Sequence, residues 1–237
     1  MSTTEWGDRA AHLYGADYAR KYRAMDDELR QGPLVQRFGG WIRELCDGFG
    51  RPITVLDLGC GTGRYFWAVR SAIELVGIDV SAAMLAEAKR PVDAGHLDVP
   101  RVTLIEGDVL TAPLGQSRFD LVYSIGVLGE HTPFNAQIAG RVHRALAPGG
   151  VFAFTAVHAN SFSVPRTAKR KLGERLMPLT PAPVRAALRS RLLSGGLYVD
   201  APYVRDVLTG AGFGVESITD HESDVHLHCL CVGRRSR

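Results

Sequence analysis

The chain is poor in the features that mark secreted, membrane-spanning or nucleic-acid-coating proteins. Four cysteines in 237 residues, Cys46, Cys60, Cys229 and Cys231, are too few and too scattered for a disulfide framework, so a reducing, cytoplasmic setting is expected. No stretch approaches the roughly 20 apolar residues that cross a bilayer, and the first thirty residues are charged, without the apolar core of a signal peptide. There is no internal repeat to suggest a solenoid. A formal net charge of +3 is too small to suggest that the whole chain binds nucleic acid. What remains, 46% hydrophobic and 22% charged residues, suits one globular domain with a sizeable core and some decoration.

From Pro52 onward, short β-branched runs alternate with segments of helical period, the pattern of βαβ units around a mostly parallel sheet. Strands are predicted over 53–58, 74–79, 102–106, 119–125 and 150–157, with helices beginning near Arg64, Ser81 and Asn135. Ser81 is placed to cap the second of these. Pro148, Gly149 and Gly150 make a turn into the fifth strand. Asp200 and Pro202 suit the start of a helix that runs to about Gly210, and 214–219 and 225–233 then form an antiparallel hairpin. Ahead of the sheet, Tyr14, Tyr18, Tyr22, Met25 and Leu29 recur at helical spacing and mark one stripe of an N-terminal helix.

Two motifs carry chemistry. The run Val55-Leu56-Asp57-Leu58-Gly59-Cys60-Gly61-Thr62-Gly63 ends a buried strand in three alternating glycines, which tolerate positive φ and let a ligand approach the backbone. Asp79 ends the next strand, 20 residues after Gly59, where a carboxylate can accept both hydroxyls of a ribose. A nicotinamide site would want a glycine where Arg64 stands, and the opening Asp57 is foreign to that motif. The pair therefore indicates a nucleoside other than a dinucleotide.

These residues resemble the class I S-adenosylmethionine-dependent methyltransferases of small-molecule type, in which a D-x-G-x-G-x-G turn follows the first strand and an acid ends the second. Glu106-Gly107-Asp108-Val109 resembles the family's third motif, Phe119-Asp120-Leu121-Val122-Tyr123-Ser124 its fourth strand, and Leu146-Ala147-Pro148-Gly149-Gly150 its turn before the fifth. The resemblance implies a Rossmann-like α/β fold: a seven-stranded, mostly parallel sheet with an antiparallel last strand and helices on both faces. An N-terminal helical lid (1–50) and a methyltransferase domain (51–237) follow, the latter with a helical cap insertion. The cofactor implied is S-adenosylmethionine, held by Tyr14, Tyr22, Asp57, Gly59, Cys60, Gly61, Gly63, Asp79, Val80, Asp108, Val109 and Ser124. In the family Asp108 would bond the adenine amino group and the Val109 amide would meet the ring. The tyrosines of the first helix either close over the cofactor or merely pack on the sheet.

Two histidines are candidate general bases for a hydroxyl acceptor: His131, in Gly129-Glu130-His131-Thr132-Pro133 after the fourth strand, and His158 at the end of the fifth. The alternative for each is a loop histidine bonded to backbone. Gly129 lengthens the family's usual spacing before the Glu-His pair by one residue. In Val225-His226-Leu227-His228-Cys229-Leu230-Cys231, strand alternation sends the histidines and cysteines to opposite faces, so an ordinary strand and no metal site are expected.

Between His158 and Leu197 lie eight basic residues against the single acid Glu174, leaving the rest of the chain net negative. Leu172, Leu176, Met177, Val184, Leu188 and Leu192 recur there at helix-like intervals, suggesting an amphipathic cap (158–197). Such a cap is a solvated face, a clamp for an anionic small-molecule acceptor, or a peripheral membrane contact. No nucleic-acid partner is expected, and the chain is expected to be a monomer or homodimer. Methylation of a lipid or prenylated acceptor, or of RNA, and a cofactor-binding regulator without turnover are the competing readings.

Overall fold

In the computed structural model, residues 14–164 and 197–237 are described, with Arg175, Thr180 and Pro181 between them. Most of the predicted basic cap lies outside the described residues. Two helices, α1 (Ala16–Leu29) and α2 (Pro33–Asp47), precede β1 (Ile53–Leu58), β2 (Ala72–Asp79), α3 (Ala82–Asp93), β3 (Arg101–Glu106) and β4 (Phe119–Ser124). Then come α4 (Ala136–Ala145), β5 (Leu146–Val157), α5 (Ala201–Gly210), β6 (Phe213–Glu222) and β7 (Leu227–Arg235). The seven strands run in the order β3-β2-β1-β4-β5-β7-β6, and β7 is antiparallel to both its neighbours. The expected seven-stranded sheet with a reversed last strand is therefore present.

Strand order reverses between β1 and β4, the point at which open α/β sheets bind ligands beyond their carboxyl ends. Apolar side chains alternate onto two faces. Leu56, Leu58, Val122, Phe152 and Phe154 meet Ile138 and Val142 of α4 and Val204 and Leu208 of α5. On the opposite face Val55, Leu75, Leu121 and Tyr123 meet Leu85 and Ala88 of α3 and Val35, Phe38, Trp41 and Ile42 of α2. The capping expectation at Ser81 holds: Ser81 Oγ accepts from Met84 N (3.2 Å), as Asn135 Oδ1 does from Gln137 N (3.0 Å) and Asp200 Oδ1 from Tyr203 N (2.9 Å).

Two expectations fail for physical reasons. No helix follows the glycine turn near Arg64; only a single 3-10 turn, Phe66–Ala68, stands there. The connection from β1 to β2 is 59–71, and its aromatic residues turn inward through Phe66–Ala68. The segment therefore stays open and buries Tyr65, Phe66, Ala68 and Val69 instead. The vacated space on that face is taken by α2, so closely that a Cβ on Gly39 would stand 2.3 Å from Trp67 Cζ2. That helix belongs to the core. The fifth strand also starts earlier than predicted, at Leu146, with Pro148 to Gly150 carried inside it through an irregular register against β4.

Candidate functional site

A cavity of about 700 Å³ opens above the carboxyl ends of β1, β2 and β4. Its floor is the glycine turn. Gly59, Gly61 and Gly63 all have positive φ, between 54° and 77°, so β-carbons are disfavoured at each. A Cβ on Gly59 would collide with Val127 at 2.4 Å and one on Gly63 with Phe66 at 2.6 Å. One on Gly61 would meet only Met84 Cε, at 3.4 Å. The first and third glycines serve packing, and the middle one keeps the cavity open.

Asp79, at the tip of β2, is the fixed polar group of this floor. Its Oδ2 accepts from Gly61 N at 2.8 Å and its Oδ1 from Ser81 N at 2.9 Å. A carboxylate has about four acceptor positions. The Val80 amide also bonds this carboxylate, and the capacity that remains belongs to a residue lining the cavity. Burial raises the Asp79 pKa and the backbone bonds pull it back in part. Asp57 lies beneath, wholly buried, and burial pushes its carboxyl from the usual 3.8 up to about 8. Tyr123 lowers it part of the way, although its hydroxyl lacks a partner in good hydrogen-bond geometry. Asp108 uses Oδ1 to accept from Leu110 N at 2.7 Å, so it shapes its own turn while lining the cavity beside Val109.

The roof is α1. Tyr14, Tyr22, Met25 and Leu29 of the predicted stripe line the cavity, and Tyr18 stacks on Tyr22 at 5.7 Å. The residues of α1 that are fully buried are instead Ala19 and Asp26. Asp26 accepts from Thr62 Oγ1 in the glycine turn and, at 2.6 Å, from Arg64 Nε, and Arg64 also pairs with it through Nη2. Ser81 Oγ donates to Tyr14 O at 2.6 Å. The helix is therefore latched at both ends to the turns that form the floor. Burial raises the Tyr14 and Tyr22 pKa values, keeping both hydroxyls protonated as donors.

Of the residues singled out from sequence, Tyr14, Tyr22, Asp57, Gly59, Cys60, Gly61, Asp79, Val80, Asp108, Val109 and His131 line this cavity. Gly63 stands behind the turn. Ser124 is fully buried and donates to Leu58 O at 2.7 Å, a tie between β4 and β1. His158 lies elsewhere: its Nδ1 accepts from Asn160 N at 2.9 Å, and it groups with Asp220 and Cys229. Their ligand atoms lie within 4.8 Å of one another, a convergence from β6, β7 and the end of β5 that alternation within one strand does not reveal. Burial, reinforced by Asp220, pushes the Cys229 thiol up to about 12.

The extra glycine before Glu130 does not displace the pair. Gly129 takes φ 71° and donates to Thr132 O at 2.7 Å, while His131 N donates to Val127 O at 2.9 Å, and this tight turn absorbs the added residue. Glu130 and His131 both face the cavity. Sequence reasoning missed the far wall: Leu34, Val35 and Phe38 of α2, and Val225, His226 and His228 at the start of β7. The alternation noted for 225–231 already put both histidines on one face; what it could not show is that this face meets α2, where Phe38 lies 5.3 Å from the His228 ring. Burial, with His226 and His221 nearby, lowers the His228 pKa to about 4, so it is neutral at physiological pH.

Residues 55–150 match the family described as "Methyltransferase domain". An uncharacterized methyltransferase of Synechocystis sp. is 38% identical over 109 residues, 45% of this chain and 48% of that protein. A malonyl-[acyl-carrier protein] O-methyltransferase of Enterobacter lignolyticus is 35% identical over 123 residues, 51% of this chain and 45% of the relative. The chain thus spans about half the length of the curated relatives it matches. Among solved structures, the magnesium protoporphyrin IX methyltransferase of Synechocystis with bound SAH superposes with a TM-score of 0.64 at 16% identity, covering 98% of this chain and all of the other. At that identity the likeness establishes the fold.

Proposed function

We propose that the protein transfers a methyl group from S-adenosylmethionine to a small-molecule acceptor. The observation that carries this reading is Asp79: a carboxylate fixed at the tip of β2 by Gly61 N and Ser81 N, lining a cavity whose glycine floor admits a nucleoside. The methyltransferase-domain match over 55–150 spans the glycine turn, Asp79 and Asp108. The residues fit the cofactor. Asp79 would take the two ribose hydroxyls and Asp108, through its remaining oxygen, the adenine amino group against Val109. Tyr14 and Tyr22 would close the roof.

When bound, S-adenosylmethionine supplies a methyl group on a positively charged sulfur, displaced in line by the acceptor. The protein's part is then to hold the acceptor close, aligned and dry. The latched α1 excludes water, and the aliphatic and aromatic far wall seats the acceptor. Glu130 and His131 line the same cavity 3.7 Å apart, beside the space the acceptor would fill.

Calorimetry tests the reading directly. S-adenosylhomocysteine should bind the full chain, and Asp79→Ala should weaken it tenfold or more, since charge-assisted bonds contribute about 1.5 to 3 kcal/mol each. Asp79→Asn, which keeps a carbonyl acceptor in the turn, separates lost ligand bonds from a loosened turn. Undiminished affinity in both variants would remove Asp79 from the site.

A further inference from the structure

We propose that His226, presented from the β6–β7 hairpin, is the catalytic base, and that the acceptor is a largely apolar molecule carrying one acidic O–H. This rests on the methyl-transfer reading above and names the acceptor end of the same cavity.

The far wall and the adjoining roof are apolar: Leu34, Val35 and Phe38 of α2, with Met25 and Leu29 of α1, contribute hydrocarbon and one aromatic face. His226 enters this wall as a ring held at one nitrogen. Its Nδ1 lies 2.6 Å from Ser163 Oγ, and Ser163 Oγ lies 2.8 Å from Ser161 Oγ. Ser161 Oγ in turn accepts from Leu227 N at 3.0 Å. Ser161 Oγ takes the Leu227 amide proton and keeps its own, so the hydroxyl protons can run along this chain in either direction, and the proposed base uses the direction in which His226 Nδ1–H donates to Ser163 and Ser163 to Ser161. That tautomer leaves the Nε2 lone pair free. Nε2 lies 3.9 Å from Glu130 Oε1, and the same oxygen lies 3.7 Å from His131 Nε2.

A base needs one nitrogen oriented by a partner, the other open to the acceptor, and a carboxylate to stabilise the imidazolium once it forms. His226 has all three, with Ser163 and Glu130 as positioning residues. His131 has the carboxylate and an edge-to-face contact with Tyr14 at 6.1 Å, but among the described residues no hydrogen bond fixes its ring, and its side chain is 48% exposed against 25% for His226. His158 has an orienting partner but stands outside the cavity. In the step, the acceptor oxygen bonds the methyl carbon as the carbon–sulfur bond breaks and its electron pair passes to sulfur. The acceptor proton moves to Nε2 and later leaves to water.

Two measurements on the full chain decide the proposal. Long-range proton–nitrogen NMR on histidine-labelled protein should show His226 with its proton on Nδ1. Separately, 4-nitrophenol, an apolar ring whose visible absorbance reports loss of its proton, should bind in the presence of S-adenosylhomocysteine as the phenolate. His226→Gln should reduce the bound phenolate at least tenfold while leaving S-adenosylhomocysteine affinity within twofold. A proton on Nε2 in the wild type, no binding of nitrophenol, or an unchanged phenolate band in His226→Gln would each overturn the proposal. Loss of S-adenosylhomocysteine binding in the wild type would instead overturn the cofactor reading, and the tautomer measurement would still report on His226.

Discussion

Single residues at this site are held in states that water would not give them. Asp57 is the extreme case, with burial first and Asp79 nearby raising its pKa to about 8. A carboxyl raised in the folded state binds a proton there that the unfolded chain has released, so stability falls as pH rises from about 4 to about 8. Replacing it by the isosteric neutral amide removes that linkage. Asp57→Asn should therefore be more stable relative to wild type at pH 8 than at pH 5, by an amount on the order of a few kcal/mol. Urea unfolding at the two pH values checks it, and identical pH slopes would mean that Asp57 ionises freely. The two histidines marked from sequence separate at the same scale. His158, outside the cavity and bonded to Asn160 N, should tolerate Ala with no more than a twofold change in methyl-transfer turnover. His131→Ala, at the cavity's edge, should lower turnover roughly tenfold through lost positioning beside Glu130. Equal effects from both, in steady-state assays, would count against the placement of either.

Elements decide what the pattern could and could not tell. The strands were legible because buried parallel strands read as continuous β-branched runs, and the cap of α3 because Ser81 precedes a helical period, while Asn135 and Asp200 marked only the starts of α4 and α5. The helix expected at Arg64 was not, because Tyr65, Phe66 and Trp67 suit either a helix or an extended aromatic plug, and their pattern does not settle which. The role of α1 was equally hidden. Its tyrosine stripe left open whether the helix closes over the cofactor or packs on the sheet, and it did not show that the anchor is Asp26, one turn on from Tyr22, joined to Thr62 and Arg64. Removing that anchor strands Arg64, whose side chain is 22% exposed, so the loss is smaller than for a fully buried pair. Asp26→Ala should destabilise by about 1 to 3 kcal/mol and, more tellingly, speed amide exchange across Ala16–Leu29 while sparing β1 and β4. Exchange accelerated uniformly throughout the chain would show that α1 is not a separately latched element.

The cavity belongs to the molecule as a whole, since its floor comes from β1 and β2, its roof from α1, its boundary from the loop after β4 and its far wall from α2 and β7. The fold and the cofactor end were readable because their motifs are contiguous and ordered along 55–150. The far wall was not, because Phe38 and His228 are brought together across 190 positions by a sheet order that no local pattern encodes. A ligand in this cavity touches elements from both ends of the chain and should stabilise them together. At a concentration one hundred times its dissociation constant, S-adenosylhomocysteine should add about 2.7 kcal/mol. For a domain of this size that is a rise in Tm of about 5 to 10 °C. With Asp79→Ala weakening the ligand tenfold, the same concentration is only ten times the dissociation constant, and the gain drops to about 1.4 kcal/mol, so the Tm shift should roughly halve. Asp26→Ala should also reduce the shift, because part of the binding energy is then spent on ordering α1. Calorimetric scans of the three proteins at one ligand concentration make the comparison: a shift equal in all three would mean that the ligand binds away from Asp79 and does not engage the α1 latch.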